Sequence, residues 1–355
     1  MLALDADGLT AALQAAGTLP PDVRVISVDQ QAVGTGQMGD CLRLALDYSA
    51  EVDAPATLVA KLPSSDETSR ATGMAMRTYE VEVRFYQELA DRLPVRSPVC
   101  HHAEIDLASG DFVLLLEDLS PAVQGDQVAG CSVDEAALVL EEAAKLHAPL
   151  WGSPELEGLD WAVRWSQESQ DGLQGLLTVL WPNFVERYGD QLDDDVVEMG
   201  YRFVAALPAY YGHRPQPHTV IHNDFRLDNL LLGTAEGGPP VAVVDWQTVG
   251  VGPGALDVSY FLGAGLSVED RRANEERLVR QYHEALLAGG VEGFDLDRCW
   301  AEYRAFAFAG FHMAVLASMI VERTDRGDAM FLAMAGRHGR QILDLDSEEI
   351  FRAQE

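Results

Sequence analysis

The segment Val220–Gln247, "VIHNDFRLDNLLLGTAEGGPPVAVVDWQ", constrains the fold of this chain more than any other. It holds two short apolar runs, Leu230–Leu232 and Val241–Val244, separated by a turn rich in Gly and Pro. Runs bounded in this way are expected to pair as an antiparallel hairpin. Antiparallel pairing sets the start of the first strand beside the end of the second. Asn229 precedes the first strand and Asp245 ends the second, so an amide oxygen and a carboxylate are predicted to come together. Both are hard oxygen donors of the kind Mg2+ takes. Asp224 lies five residues before Asn229, on the loop entering the hairpin, where it can face a substrate hydroxyl. Arg226, two residues further on, can offset charge on a transferring phosphoryl group. An H-x-D, or an Asp at a strand end, is commonplace alone. The joint order H-x-D-x-x-x-x-N, strand, turn, strand, Asp is far more restrictive, and it is the order of a phosphoryl-transfer loop.

A second glycine-rich stretch lies far upstream. "VGTGQMGD", Val33–Asp40, spells G-x-G-x-x-G through Gly34, Gly36 and Gly39. A dinucleotide-binding loop must open a helix. Here "DCLRLALDY" follows, with Leu42, Leu44 and Leu46 alternating with Arg43, Ala45 and Asp47, the period of a strand. "VRVISVDQQAV" before the loop also reads as a strand, so the glycines are predicted to join two strands. That leaves an ordinary turn, or a loop lying over nucleotide phosphates where glycine lets backbone N–H groups approach. "APATLVAKLP" is a third strand, with Lys61 near its end, placed to reach α- and β-phosphates or simply to face solvent. A helix is predicted over about residues 72–93, where Tyr79, Glu82, Phe85, Tyr86 and Leu89 recur at helical spacing. Glu82 on that apolar face needs a partner, and Lys61 suits it; Glu80 is the rival. Two more strands, Val99–Ile105 and Asp111–Leu116, complete a five-stranded sheet before Pro121. The remainder reads as mainly helical.

Composition narrows the partners. Among 355 residues, 57 are acidic and 25 basic, a formal net charge of -32. Such a surface repels nucleic acid and anionic membrane. Four cysteines with no pairing motif suit a reducing compartment. The opening "MLALDADGLTAALQ" lacks a basic region before its apolar residues, and Ala305–Val321 reads as a buried core helix. A cytoplasmic protein is therefore expected, with no nucleic-acid or membrane partner and an oligomeric state that the sequence does not specify.

The motifs quoted so far resemble those of the aminoglycoside phosphotransferase/choline kinase superfamily, the small-molecule branch of the protein-kinase-like fold. "IHNDFRLDN" is similar to that family's catalytic loop and "VVDWQ" to its metal-binding strand. "GPGALDVSYFL" is similar to the segment whose aspartate, here Asp257, braces the loop. "KLHAPLW" resembles a helix of ecdysteroid-kinase-like members, and the likeness spans roughly residues 25–345. The resemblance implies an α+β, bilobal fold. Residues 1–118 would form a small antiparallel sheet plus helix that binds nucleotide, and residues 119–355 a larger, mainly helical lobe with the catalytic loop and acceptor site. It implies that Asp224 is the catalytic base or orients the acceptor hydroxyl. Asn229 and Asp245 would hold Mg2+, Lys61 would grip the ATP phosphates, and Glu82 would anchor Lys61. Gly34, Gly36 and Gly39 would cover the phosphates, His222 would support the loop backbone, and backbone groups around Glu117 and Leu119 would read adenine. No activation segment follows "VVDWQ", which favours a small-molecule hydroxyl acceptor over a peptide. Trp161, Trp165 and His312 are candidates for the acceptor site, each with a core-packing reading beside it. The alternative function is a catalytically silent nucleotide-binding module.

Overall fold

The computed structural model describes residues 1–34 and 38–352. Contacts divide the chain into two compact units, Met1–Ala122 with Gly233–Val249, and Val123–Leu232 with Gly250–Glu355. Gly233–Val249 thus groups with the N-terminal residues, whereas the sequence reading placed it after residue 119.

The first unit opens with α1 (Ala6–Ala15), then β1 (Val25–Val33), β2 (Gly39–Tyr48) and β3 (Thr57–Pro63). After α2 (Glu67–Ala75) and α3 (Thr78–Glu88) come β4 (Cys100–Asp106) and β5 (Asp111–Glu117). The five strands form one antiparallel sheet in the order β1-β2-β3-β5-β4. Leu44, Leu46, Leu58, Ala60 and Leu115 bury one face of it against Leu9 and Leu13 of α1. The alternation read in "LRLAL" is therefore a real strand period with its leucines inward.

The single helix predicted over residues 72–93 is two helices. Arg77 sits in the left-handed region at φ 59° and breaks the chain between them. Gly73 of α2 lies so close to Tyr79 that a Cβ would come within 2.7 Å of the ring, so the two helices fold tightly together. The apolar recurrence at Tyr79, Phe85, Tyr86 and Leu89 belongs to α3 and its C-cap, whereas α2 buries only Gly73, so the period carries no information on where the helix begins.

The second unit begins with β6 (Val123–Gln124), α4 (Val133–His147), α5 (Gln167–Tyr188) and α6 (Asp194–Gly212). β7 (Thr219–Ile221) then leads into the loop at His222, and β8 (Leu230–Thr234) runs on towards β9 (Gly237–Val243), which belongs to the first unit. β10 (Gly250–Gly252) pairs antiparallel with β7. α7 (Ala255–Gly265), α8 (Val268–Ala288), α9 (Leu296–Ala305), α10 (Phe308–Ile320), α11 (Asp325–Asp344) and α12 (Glu348–Arg352) complete the helical core. The stretch Leu296–Ile320 is long and apolar enough to cross a membrane, yet 72% of an apolar 18-residue window in it is buried, and it forms two separate helices.

α9 carries one acid into that core. Glu302 is 5% exposed, 3.0 Å from Arg298, and burial raises its carboxyl to about 7 against the Arg298 contribution. An acid raised in the folded state contributes stability below its ordinary value of 4.5 and loses that contribution as pH rises through about 7. Glu302→Gln should therefore gain on the wild type in melting temperature between pH 4.5 and about 7, and hold that gain above it. Thermal melts at closely spaced pH values check this; a gap that shrinks with rising pH contradicts it.

Candidate active site

In the first unit the local geometry is set by Trp246. Its ring is fully buried and stacks on Phe85 of α3 at 3.9 Å and 12°. This fixes Asp245, which takes a left-handed φ of 64°, beside the same helix. Lys61, on β3, places its Nζ 2.7 Å from Glu82 Oε1 and 2.8 Å from Asp245 Oδ1. Glu80, the rival for Lys61, is paired instead with Arg77 at 2.9 Å. Glu82 is 1% exposed on its side chain, Lys61 11% and Asp245 39%, so the ammonium links a sequestered carboxylate to a half-open one. Burial drives the Glu82 carboxyl upward more than Lys61 holds it down. Burial works against the Lys61 charge, but Asp245 and Glu82 outweigh it and keep the ammonium protonated.

Gly34 has φ 78°, a conformation that strains any residue with a side chain. Gly39 opens β2 opposite Pro63, and a Cβ there would sit 2.9 Å from the Leu62 carbonyl oxygen, so close strand packing is what it permits. Gly36 lies outside the described residues. Glu117 ends β5 with its carboxylate on Arg96, at 2.7 and 2.9 Å, and its own N–H on the Val99 carbonyl. Leu119 is buried and its carbonyl accepts from Ala122.

In the second unit the loop after β7 is held from beneath by one carboxylate. Asp257, on α7 and fully buried, accepts the backbone N–H of His222 at 2.7 Å and of Asn223 at 2.8 Å. Asn223 has φ 68°, so these two bonds fix a turn the backbone would not hold unaided. His147 of "KLHAPLW" in turn binds Asp257 through Nε2 at 3.1 Å and the Tyr282 hydroxyl through Nδ1 at 2.8 Å. Gly254 makes room for this pair, since a Cβ there would lie 2.8 Å from the Tyr282 oxygen. The His222 ring is fully buried and its Nδ1 accepts the Asp224 N–H at 3.3 Å.

The Asp224 carboxylate is bound by three side chains. Arg226 Nε reaches its two oxygens at 3.1 and 3.2 Å, the Tyr260 hydroxyl donates to Oδ1 at 2.9 Å, and Asn229 Nδ2 donates to Oδ2 at 2.8 Å. Burial raises the carboxyl, yet Arg226, His222, Tyr260 and Asn229 together hold it below the usual aspartate range. Arg226 also binds Asp228 at 2.8 Å, so it bridges two carboxylates of the loop. Gln127, 1% exposed, secures the far side: its Oε1 accepts from the Leu227 N–H and its own backbone N–H donates to Asp228.

The metal question turns on donor chemistry. Among the described residues no group of three or more His, Cys, Asp or Glu side chains is placed to hold a metal ion. Asn229 Nδ2 donates to both the backbone oxygen and Oδ2 of Asp224, which leaves Oδ1 as the free face of the amide. The Asn229 amide oxygen and the half-exposed Asp245 carboxylate are each hard donors of the kind Mg2+ takes.

The family model described as the phosphotransferase enzyme family matches residues 46–306. The chain belongs to that family. Of curated proteins, an uncharacterised kinase-like protein of Caenorhabditis elegans is 40% identical over 67 residues, which is 19% of this chain and 18% of the worm protein's length. Among solved structures, choline kinase from Cryptosporidium parvum superposes with a TM-score of 0.55 at 9% identity, covering 97% of this chain and 96% of that one. The GDP complex of aminoglycoside 2'-phosphotransferase-IIIa gives 0.55 at 16% identity, covering 98% of each. Plasmodium vivax ethanolamine kinase gives 0.52 at 10% identity, covering 97% and 88%. At these identities the likeness is one of fold, and the fold is kinase-like: an antiparallel sheet unit and a mainly helical unit. The family to which this chain belongs is described as one of phosphotransferase enzymes.

Within that family frame, sequence reasoning singled out Lys61, Glu82, Asp224, Arg226, Asn229, Asp245 and Asp257, and each has the polar partners just described. Three residues escaped it. Tyr260 sits in the apolar run "VSYFLG" and reads as core, and nothing marks its hydroxyl as a donor to a residue 36 positions upstream. His147 and Gln127 act through partners 110 and 100 residues away, and no local period records that. Trp161 is 1% exposed and lies in the core. Trp165 is half-buried and stacks on Tyr211 at 5.5 Å, and His312 is buried with Nε2 on the Tyr211 hydroxyl at 2.7 Å.

Proposed function

We propose that the chain transfers the γ-phosphoryl group of ATP, with Mg2+, to a hydroxyl of a small molecule. The observation that carries this reading is the Asp224 carboxylate, held by Arg226, Tyr260 and Asn229 on a loop pinned by Asp257. The GDP complex of the aminoglycoside 2'-phosphotransferase supports nucleotide use. α7 begins ten residues after Asp245, which leaves no room for a peptide-binding activation segment and supports a small-molecule acceptor.

Phosphoryl transfer runs through a loose transition state, so positioning and charge do most of the catalysis. The acceptor oxygen forms a bond to the γ-phosphorus as the bond to the β–γ bridging oxygen breaks, ADP leaves, and the hydroxyl proton passes to Asp224 or to water. A carboxylate that already accepts from three side chains is a weak base. Asp224 therefore aligns the hydroxyl and receives its proton late, when the oxygen has become acidic. Lys61 binds the α- and β-phosphates, and Glu82 keeps that lysine charged and extended. Mg2+, once held by Asn229 and Asp245, would neutralise charge on the β- and γ-phosphates. Adenine would be read by backbone groups in Leu116–Leu119 other than the Glu117 N–H, which is bonded to Val99.

Tyr260 is a positioning residue in this scheme. Removing its hydroxyl forfeits one hydrogen bond to a charged group, about 1.5 kcal/mol, so Tyr260→Phe should lower kcat about tenfold. KM for ATP should be unchanged, because Tyr260 touches Asp224 and no phosphate-binding residue. Steady-state kinetics separate the two; an equal change in KM alone would assign Tyr260 to packing.

The activity itself is tested by an ATP-depletion screen against hydroxylated metabolites and antibiotics, with Asp224→Ala as the blank. Acceptor-dependent depletion absent from the blank is the expected result. Mg·ATP binding with no product across the set would favour the silent module.

A further inference from the structure

His338, on α11, is fully buried beside Tyr260, with the two ring centres 5.7 Å apart and the planes tilted by 48°. Its Nδ1 lies 3.1 Å from Gln341 Oε1, one turn along the same helix. The Gln341 amide nitrogen faces three oxygens: the Ser259 hydroxyl at 3.2 Å, the Ser259 carbonyl at 3.3 Å and the Tyr303 hydroxyl at 3.1 Å. Tyr303 gives its own proton to Glu275 at 2.7 Å, so its oxygen is free to accept. Gln341 Oε1 is therefore an acceptor, and His338 Nδ1 carries the proton that it accepts. Burial pushes the imidazole down to about 3, so the ring is neutral and its Nε2 is bare. That Nε2 is buried and has no hydrogen-bond partner among the described residues. A phenyl ring would not carry this cost, so what the position gains from histidine is the Nδ1 bond to Gln341.

Two glycines clasp that ring. A Cβ on Gly310 of α10 would overlap His338 Nε2, and a Cβ on Gly263 of α7 would overlap Nδ1. Gly263 lies three residues after Tyr260, on the same side of α7. Ser259, which Gln341 grips through both its carbonyl and its hydroxyl, is the residue before Tyr260. The His338–Gln341 pair thus meets α7 at Ser259, Tyr260 and Gly263. Tyr260 is itself buried, and its hydroxyl is the one that donates to Asp224 Oδ1 at 2.9 Å. A tyrosine side chain turns about two torsions, so the hydroxyl at its tip is placed only as well as its ring is held.

We propose that His338 is a positioning residue: bonded to Gln341 and clasped between Gly263 and Gly310, its ring fixes the Tyr260 ring so that the phenol hydroxyl stays on Asp224. His338 acts through Tyr260 alone. As a kinetic role this rests on the phosphotransferase reading. As a coupling among His338, Tyr260 and Asp224 it stands by itself, and one of its two tests needs no turnover.

His338→Asn keeps a donor for Gln341 and removes most of the ring. It should lower kcat about three- to tenfold, at most the loss expected for Tyr260→Phe, and leave KM for ATP unchanged. In the Tyr260→Phe background the same substitution should cost less than about twofold, because the ring it acts through no longer reaches Asp224. A general loosening of the core would give the full loss in both backgrounds; that result, or no loss in the wild type, overturns the assignment. The second readout is 19F NMR of the full chain labelled with 3-fluorotyrosine, without nucleotide. Tyr260→Phe assigns its resonance among the ten tyrosines. Asp224→Asn should shift that resonance in the wild type and leave it in place in His338→Asn. Equal shifts in both, or no shift in the wild type, overturn the proposal. If His338→Asn fails to fold, Gln341→Met, which releases the ring from its Nδ1 bond, carries both comparisons. Coupling seen by NMR while no acceptor is phosphorylated supports the role of His338 and counts against the phosphotransferase reading alone. Acceptor phosphorylation with additive losses in kcat does the reverse.

Discussion

Asp224→Ala is expected to fold as the wild type does and to lose ATP turnover, with kcat lower by at least about 10³. The fold survives because the substitution strands no charge. Arg226 keeps Asp228 at 2.8 Å, and the loop backbone keeps both of its bonds to Asp257. What is lost is the group that aligns the acceptor hydroxyl. Asp224→Asn preserves the shape and isolates the charge, so the two variants together separate alignment from packing. Circular dichroism melts and a coupled ADP assay check both parts. A variant with wild-type turnover would remove Asp224 from the reaction.

Asp245→Asn is the second large effect. The amide tolerates the left-handed φ of 64° that alanine would strain, which makes it the better probe of the carboxylate. Lys61 retains Glu82 at 2.7 Å, so the buried ammonium keeps a counter-charge and the melting temperature should stay close to that of the wild type. Mg2+-dependent turnover should fall by about 10²–10³. The informative readout is the Mg2+ titration: the variant should need a higher Mg2+ concentration for whatever rate remains. An unchanged rate and Mg2+ requirement would refute Asp245 as a ligand. Lys61 is a poorer target, since its removal leaves Glu82 buried beside Asp245 without a cation and threatens the fold itself, at a cost of about 3–5 kcal/mol.

The polar cluster of the loop after β7 was legible because its residues are close in sequence. Asp224, Arg226 and Asn229 lie within six residues, and a strand of fixed period follows. Lys61 and Glu82 were legible for a different reason: a carboxylate on an apolar helix face demands a partner, and the neighbouring strand offered one lysine. The break at Arg77 was not legible, because the apolar period lies wholly in α3 and its C-cap and says nothing of the residues before Thr78. The supports of the loop were not legible either. Asp257, His147, Tyr260 and Gln127 meet it through side-chain hydrogen bonds spanning 34 to 110 residues, and such bonds leave no periodic trace. Asp257 was reached only through the resemblance of "GPGALDVSYFL" to a known segment.

The account is tested most directly by following the γ-phosphoryl group with 31P NMR, using Mg·ATP and an acceptor found by the depletion screen. A new phosphate monoester should appear in step with ADP and in equal amount, with the wild type and not with Asp224→Ala. ADP formed with inorganic phosphate and no monoester, or a monoester formed equally by Asp224→Ala, would contradict it.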